Sequence, residues 1–536
     1  MNCNSRVILI TIAYLSIFLL IGCSTSGEQN DGEVEKSNSQ TNSLVLAVGG
    51  EPDEGFDPTI GWGRYGSPLF QSTLLSRDRN MEIQMDLAAS YHVSEDGKTW
   101  IVELRKDARF SDGESVTAQD VVFTFNQAAN SASVVDLSHL QNVKAIDDFK
   151  VAFTLKEPRS TFVYSLLTIG IVPEHLYDTD YYEEPVGSGP YQMKEWRKGQ
   201  QLIVEANPHY YGKKPEFERA TFLFLEEDAA LAAARAGEVD VVSVPPSFAG
   251  QDIAGMELVT LESVDNLGIM FPVVPEGKKT EKGVPIGHDV TADRAIRQAI
   301  NIAIDRKDLV EGVLNGYGTP AYTVADHLPW WNEETEVQDG DIERAKDIMR
   351  SAGWRQGEEV FEKDGLEAKF TLYYPTEDQV RQSLAMAFAE LISPLGIEVD
   401  TEGKSWNELE RLMHSHPVLM GWGSHTPIEI YNLFSTSTQG EGYYNANYYS
   451  NPVVDDYMNK ALRAATENEA IPYWQKAQWD GHTGFSAKGD APWAWLVNVD
   501  HTYFVKEDLV IGDQKIQPHG HGWPITDFIT EWHWED

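Results

Sequence analysis

Apolar and polar positions divide this chain into a short leader, a polar stretch and a long body of alternating strands and helices. The leader is the apolar run Val7 to Ile21, followed by Gly22 and Cys23, and residues 24 to 43 then carry almost nothing apolar. The body opens with the run Leu44 to Val48, closed by Gly49-Gly50, which reads as a buried first strand. Tyr91 to Ser94 and Thr99 to Leu104 alternate on either side of Glu95-Asp96-Gly97-Lys98, the pattern of a hairpin. Thr117 and Asp120 form a capping box ahead of a helix over 120–129. Strands are predicted at 201–205, 222–225 and 240–244, with an Ala-rich helix over 228–236 between the last two, the unit of a parallel sheet. Helical spacing recurs at 293–305, from Leu309 to Leu314, at 341–352, 380–392 and 453–465, with strands at 368–374 and 397–399. Trp-rich strands and an irregular tail end the chain.

At 536 residues the chain exceeds what one hydrophobic core serves, and 42% apolar residues supply two or three. Its 84 acidic against 42 basic side chains give a formal charge of −42, which repels phosphate backbones and excludes nucleic acid as a partner. The 15-residue leader run is short for a membrane span and right for a signal-peptide core. Leu20-Ile21-Gly22-Cys23 resembles the bacterial lipobox, whose cysteine is diacylated and becomes the mature N-terminus. Residues 1–22 are therefore expected to be a lipoprotein signal peptide, Cys23 the lipidated residue and 23–43 a flexible linker. Cys3 lies in the same leader, so the mature chain has no disulfide. An acyl anchor tethers without spanning, and the body is expected outside the cytoplasmic membrane.

Candidate chemistry is sparse. Leu419 to Pro427 places Trp422 and His425 just past an apolar run, as a strand end opening onto a cleft would; a buried Trp beside a loop His is the plain alternative. In the Gly-, Pro- and Asp-rich loop 51–66, Trp62, Arg64 and Tyr65 suit a binding rim or loop packing. The Gly-rich bend Val186 to Tyr191 lacks phosphate-loop spacing and a following lysine.

The order of motifs resembles the family of extracellular solute-binding proteins that serve peptide and nickel ABC importers. The likeness runs through Ser94-Glu95-Asp96-Gly97-Lys98-Thr99-Trp100, Phe110-Ser111-Asp112-Gly113, Gly187-Ser188-Gly189-Pro190-Tyr191, Asn207-Pro208, Arg297-Gln298-Ala299-Ile300-Asn301, Ala352-Gly353-Trp354 and Asn451-Pro452. The resemblance implies an α/β periplasmic-binding-protein-like fold of two lobes with hinge crossovers and an extra domain inserted in the first lobe. The expected division is 44–57, 186–267 and 496–536 for lobe I, 58–185 for the inserted domain and 268–495 for lobe II. The lobes close on a ligand, and the closed form docks on an ABC permease with its ATPase; no chemistry on the ligand and a monomeric chain are expected.

In members that bind short peptides, a Gly-Trp pair like Gly421-Trp422 is followed by an aspartate that captures the peptide amine. Here His425 holds that place. A neutral imidazole offers an ammonium one acceptor, but it ligates Ni²⁺ well, so a nickel or related metal chelate is slightly favoured over an oligopeptide or dipeptide. His414 and His416, spaced for one face of a strand, are weaker metal candidates, with His416 the one retained. His519 and His521 read as loop residues beside glycine. Trp100 and Arg105 are further rim candidates, with hairpin core the alternative for Trp100. No cofactor is expected apart from the transported ligand. A secreted hydrolase is the remote alternative, and the chain shows no Gly-x-Ser-x-Gly elbow, no His-Glu-x-x-His helix and no thiol in the mature body.

Overall fold

Two mixed sheets organise the chain, joined by segments that pass from one to the other. The computed structural model describes residues 42–52, 54–131, 136–520 and 522–535. The expected signal peptide, Cys23, nearly all of the linker and His521 lie outside the described residues.

The first sheet has seven strands in the order Met256–Leu261, His501–Lys506, Val241–Val244, Ser43–Ala47, Arg219–Leu223, Gln201–Ala206 and Tyr191–Arg197. Ser43–Ala47 runs parallel to both its neighbours, and helix Glu227–Arg235 makes the crossover between them. Strand Arg219–Leu223 begins three residues earlier than its apolar run predicts. Its register pairs Arg219 with Ser43 and with Glu205, while Leu225 projects into solvent at 38% exposure. Separate apolar clusters cover the two faces, one around Phe56, Phe70 and Trp523, the other around Leu231, Val242 and Phe504.

The second sheet has six strands in the order Gly318–Pro320, Trp493–Val499, Asn266–Met270, Val418–Trp422, Lys369–Pro375 and Glu398–Lys404. Asn266–Met270 is buried at every position and pairs antiparallel on both sides. Trp493 and Trp495, two apart and hence on one face, stack with centroids 4.5 Å apart. Helices Arg294–Ala303, Ile342–Ser351 and Gln379–Ile392 cover the other face, each started by an aspartate whose carboxylate accepts from a first-turn amide.

A four-stranded antiparallel sheet, Ala88–Val93, Thr99–Leu104, Lys150–Leu155 and Leu140–Asp147, packs with helix Ala118–Asn130. The Thr117–Asp120 capping box starts that helix. Its core, with Trp100, Phe125 and Phe162, runs on into Trp330, Trp474 and the Trp493–Trp495 stack, so this part and the second sheet share one apolar interior. Ser160 fixes the seam: its amide and hydroxyl donate to the Leu462 and Ala461 carbonyls at the end of helix Pro452–Arg463, both at 2.8 Å.

The chain passes between the main sheets at 262–265 and again at Asp500, which alone separates Trp493–Val499 from His501–Lys506. The tail lies beside the first crossing. Gln517 donates to the Glu262 carbonyl and accepts from the Val264 amide, both at 2.8 Å. Among the described residues no helix is long and apolar enough to cross a membrane.

Candidate functional site

Trp422 is the last residue of strand Val418–Trp422, held opposite Asn266 of the buried central strand. The chain must turn sharply here. Gly423 takes φ +142°, and a side chain there would collide with the Val264 carbonyl at the crossing between sheets. Ser424 and His425 follow in the loop, and Pro427 ends it before helix Ile428–Phe434.

This loop and helix wall a cavity of about 570 Å³, the size of a small-molecule site. Trp422, His425, Glu429, Tyr431 and Tyr444 line one side, with Arg64 from the loop after the first strand. Arg159, His139 and Tyr164, from the four-stranded part and the helix after it, line the other.

His425 presents an imidazole whose Nε2 is buried with no hydrogen-bond partner, and the Trp422 Nε1 beside it is also unpartnered. Burial holds the His425 pKa well below the ordinary histidine value, and the charges of Lys515 and Arg77 push the same way. His425 is thus a neutral ring in a positive local field.

Glu429 is the residue that motif reading missed. It is 5% exposed, lines the cavity and accepts from the Ser424 amide at 3.0 Å. Burial raises its pKa, against the Ser424 and Gly423 amides and the more distant charges of His519 and Arg64. Among the described residues none forms an ion pair with it. An acid between Ile428 and Ile430, seven residues after Trp422, was the available signal.

The other sequence candidates separate. Arg64 reaches the cavity and lies 4.8 Å from the Tyr65 ring centroid. Tyr65 packs behind it, edge-on to His519 with centroids 6.3 Å apart, its phenol pushed up to about 12 by burial. Trp100 is hairpin core and not rim: it is 2% exposed, stacked on Tyr91 and edge-on to Phe162. Arg105 is likewise turned away from the cavity, its guanidinium paired with Asp107 at 2.7 Å and lying over Tyr211.

His414 and His416 do not lie on a strand. A capping box at Ser405 and Glu408 starts helix Trp406–Leu412, and both histidines fall in the turn between its end and Val418. Buried His414 bonds through Nδ1 to the Ala446 carbonyl at 2.9 Å, while His416 packs against Tyr373 and His288. Neither lines the cavity with His425. Among the described residues no group of three His, Cys, Asp or Glu side chains is disposed to hold a metal.

His519 is a loop residue, as its flanking glycine suggested, but not a bystander. Its amide donates to the Gly423 carbonyl at 2.7 Å and its Nδ1 lies 2.5 Å from Asp265. His501 approaches the other oxygen of Asp265 at 3.4 Å. These contacts bring both crossings, the tail and the Trp422 strand end to one point behind the cavity.

A cavity lined from both sides, behind which two segments cross between mixed sheets, is the architecture of a two-lobed binding protein. Residues 82–453 match the bacterial extracellular solute-binding proteins of family 5, and the chain belongs to that family. Protein XP55 of Streptomyces lividans is 32% identical over 503 residues, covering 90% of this chain and 88% of the relative. The oligopeptide-binding protein AppA of Bacillus subtilis is 28% identical over 496 residues, covering 85% and 88%. The structure of that AppA with a nonapeptide superposes with a TM-score of 0.67 at 25% identity, covering 92% of this chain and 99% of that one. NikZ of Campylobacter jejuni, solved with Ni(L-His), gives a TM-score of 0.75 at 24% identity over the same shares.

Proposed function

We propose that this protein captures a small ligand with a free ammonium group, of the peptide class, between its lobes and hands it to an ABC permease and its ATPase. It acts as a monomer, tethered outside the cytoplasmic membrane by lipid on Cys23, and performs no chemistry on the ligand. Glu429 carries this reading. A buried carboxylate without a paired cation is costly, and an incoming ammonium supplies the missing charge at a carboxylate already fixed by a backbone amide. Glu429 thus takes up the amine-capturing task that the residue at His425 cannot perform. AppA, named for oligopeptides, supports the same ligand class.

A metal chelate is the second reading, favoured by the unpartnered Nε2 of His425. The nearby charges of Lys515 and Arg77 oppose a metal cation at that atom. Calorimetry with free and N-acetylated peptides, beside elemental analysis of the purified protein, separates the two. Glu429→Gln and N-acetylation are each expected to weaken peptide binding by about ten- to a hundredfold, the worth of a hydrogen bond to a charged group. Metal co-purifying in stoichiometric amount, lost in His425→Ala, would establish the chelate instead.

A further inference from the structure

The two segments that cross between the sheets bring a pair of acids together. Leu261 and His501 are the last ladder partners of strands Met256–Leu261 and His501–Lys506. The next residue on one side, Glu262, and the preceding residue on the other, Asp500, therefore meet where that antiparallel ladder ends. Backbone bonds pin both crossings at this point. The Ser263 hydroxyl donates to the Val499 carbonyl at 2.5 Å, the Val499 amide to the Asp265 carbonyl at 2.9 Å and the Asp500 amide to the Tyr317 carbonyl at 3.3 Å. Asp500 is 9% exposed, and its Oδ1 is buried with no hydrogen-bond partner. Like charges opposite one another weaken a ladder, and a buried carboxylate without a donor is costly once ionised. Burial and then the charge of Glu262 raise the Asp500 pKa to about 6, against His501 and His327. These are the charged groups that face it: Glu262 on the first crossing, His501 on the strand that Asp500 leads into, and His327 in the loop after strand Gly318–Pro320.

We propose that Asp500 and Glu262 form a proton-operated switch at the crossing, in which a neutral Asp500 favours the cavity walls together and an ionised Asp500 favours them rotated apart. In the arrangement described here the carboxyl is shut away from solvent beside a second acid, which its neutral form tolerates and its charged form does not. Asp500 alone links its two strands, so a rotation of one sheet against the other must move it relative to Glu262 and open it to water. The proton then has different affinities for the two arrangements, which is the condition for it to shift their balance. Asp265, on the other crossing, is of the opposite kind: His519 and His501 keep it ionised while Asp500 titrates.

The test uses the full chain without ligand, followed by small-angle X-ray scattering between pH 8 and pH 5. Acidification is expected to raise the ratio of shut to open molecules about tenfold, read as a fall in radius of gyration with a midpoint near 6. Asp500→Asn should give a flat profile on the shut side, Glu262→Gln should move the midpoint to lower pH, and His519→Gln should keep the transition. A flat wild-type profile overturns the switch, as does an Asp500→Asn protein, folded by circular dichroism, that keeps the transition. Loss of the transition in His519→Gln alone assigns the proton to the Asp265 pair and overturns it too. If Asp500→Asn does not fold, Glu262→Gln decides: a lowered midpoint supports the switch and an unmoved one overturns it. Every arm is read without ligand, so failure here leaves the peptide reading standing.

Discussion

Arg77 and Glu467 meet at 2.8 Å across the seam, and the Tyr164 hydroxyl donates to the same carboxylate oxygen at 2.5 Å. The Arg77 side chain is 5% exposed and that of Glu467 17%, so solvent screens the pair little. Arg77 ends strand Leu75–Arg77 and Glu467 starts helix Glu467–Gln478, and Tyr164, which bonds to the same carboxylate, lines the cavity.

Removing this contact is expected to weaken the shut state. Glu467→Gln loses one charge-assisted bond of about 1.5–3 kcal/mol and leaves Arg77 unpaired, so ligand release measured by stopped flow should accelerate roughly ten- to a hundredfold. An unchanged off-rate would mean that the pair stabilises the lobes without holding them together.

Gly423 is the backbone position on which the site turns. Gly423→Ala forces a side chain into the left-handed region and against the Val264 carbonyl, at a cost of about 2 kcal/mol or more. Thermal stability and ligand affinity should fall together, since the same loop carries the Ser424 amide that fixes Glu429. Gly442→Ala is the control: its φ is +58° with open space around it, so only the smaller backbone penalty applies. Equal effects of the two substitutions would remove the crossing from the explanation.

Burial lowers the His519 pKa, but the Asp265 carboxylate outweighs it and the net shift is upward from 6.5. Burial likewise raises Asp265, but His519 and His501 more than reverse this and hold it far below the usual carboxylate range. Arg381 and Glu429 also act on His519, the first lowering and the second raising its pKa. A raised histidine contributes fully below its unfolded pKa and loses that contribution as pH rises through the folded value. A depressed aspartate contributes above its own unfolded pKa and fails only in strong acid. Stability from this pair is therefore full between about pH 4 and 6.5 and declines on the alkaline side. The Tm of wild type should fall more between pH 6.5 and 9 than that of His519→Gln; parallel profiles would deny the pair any linkage.

Of the 15 tryptophans, Trp422 is the indole on the cavity wall. Trp422→Phe should remove most of the ligand-induced change in emission, while Trp100→Phe, deep in the hairpin core, should leave it intact. Retention of the full signal in Trp422→Phe would place the ligand elsewhere.

How much of this was legible in sequence follows from the range of the interactions. Helices such as Ile342–Ser351 and Gln379–Ile392 were readable because a 3.6-residue period and an aspartate cap are local signals. His414 and His416 do not share a strand face because two-residue spacing fits a turn as well as a strand, and the Ser405–Glu408 cap upstream starts a helix that ends just before them. At the cavity, Trp422 and His425 could be singled out because the strand and its break are contiguous. Glu429 depends on how a loop folds over its own helix start. Arg159 and His139 come from a loop and a turn beside a different sheet, and no local pattern announces that they face residue 429 across a cavity.

Asp500 is the only residue between the strand that ends the second sheet's longest buried run and the strand that joins the first. With both flanking strands locked into ladders, relative rotation of the sheets must be absorbed by the few backbone torsions there and at 262–265. These short links leave few torsions in which such a rotation could be taken up. Substitutions at these links, next to Asp265, are therefore expected to reset the resting angle between the two sheets without altering any side chain that lines the cavity.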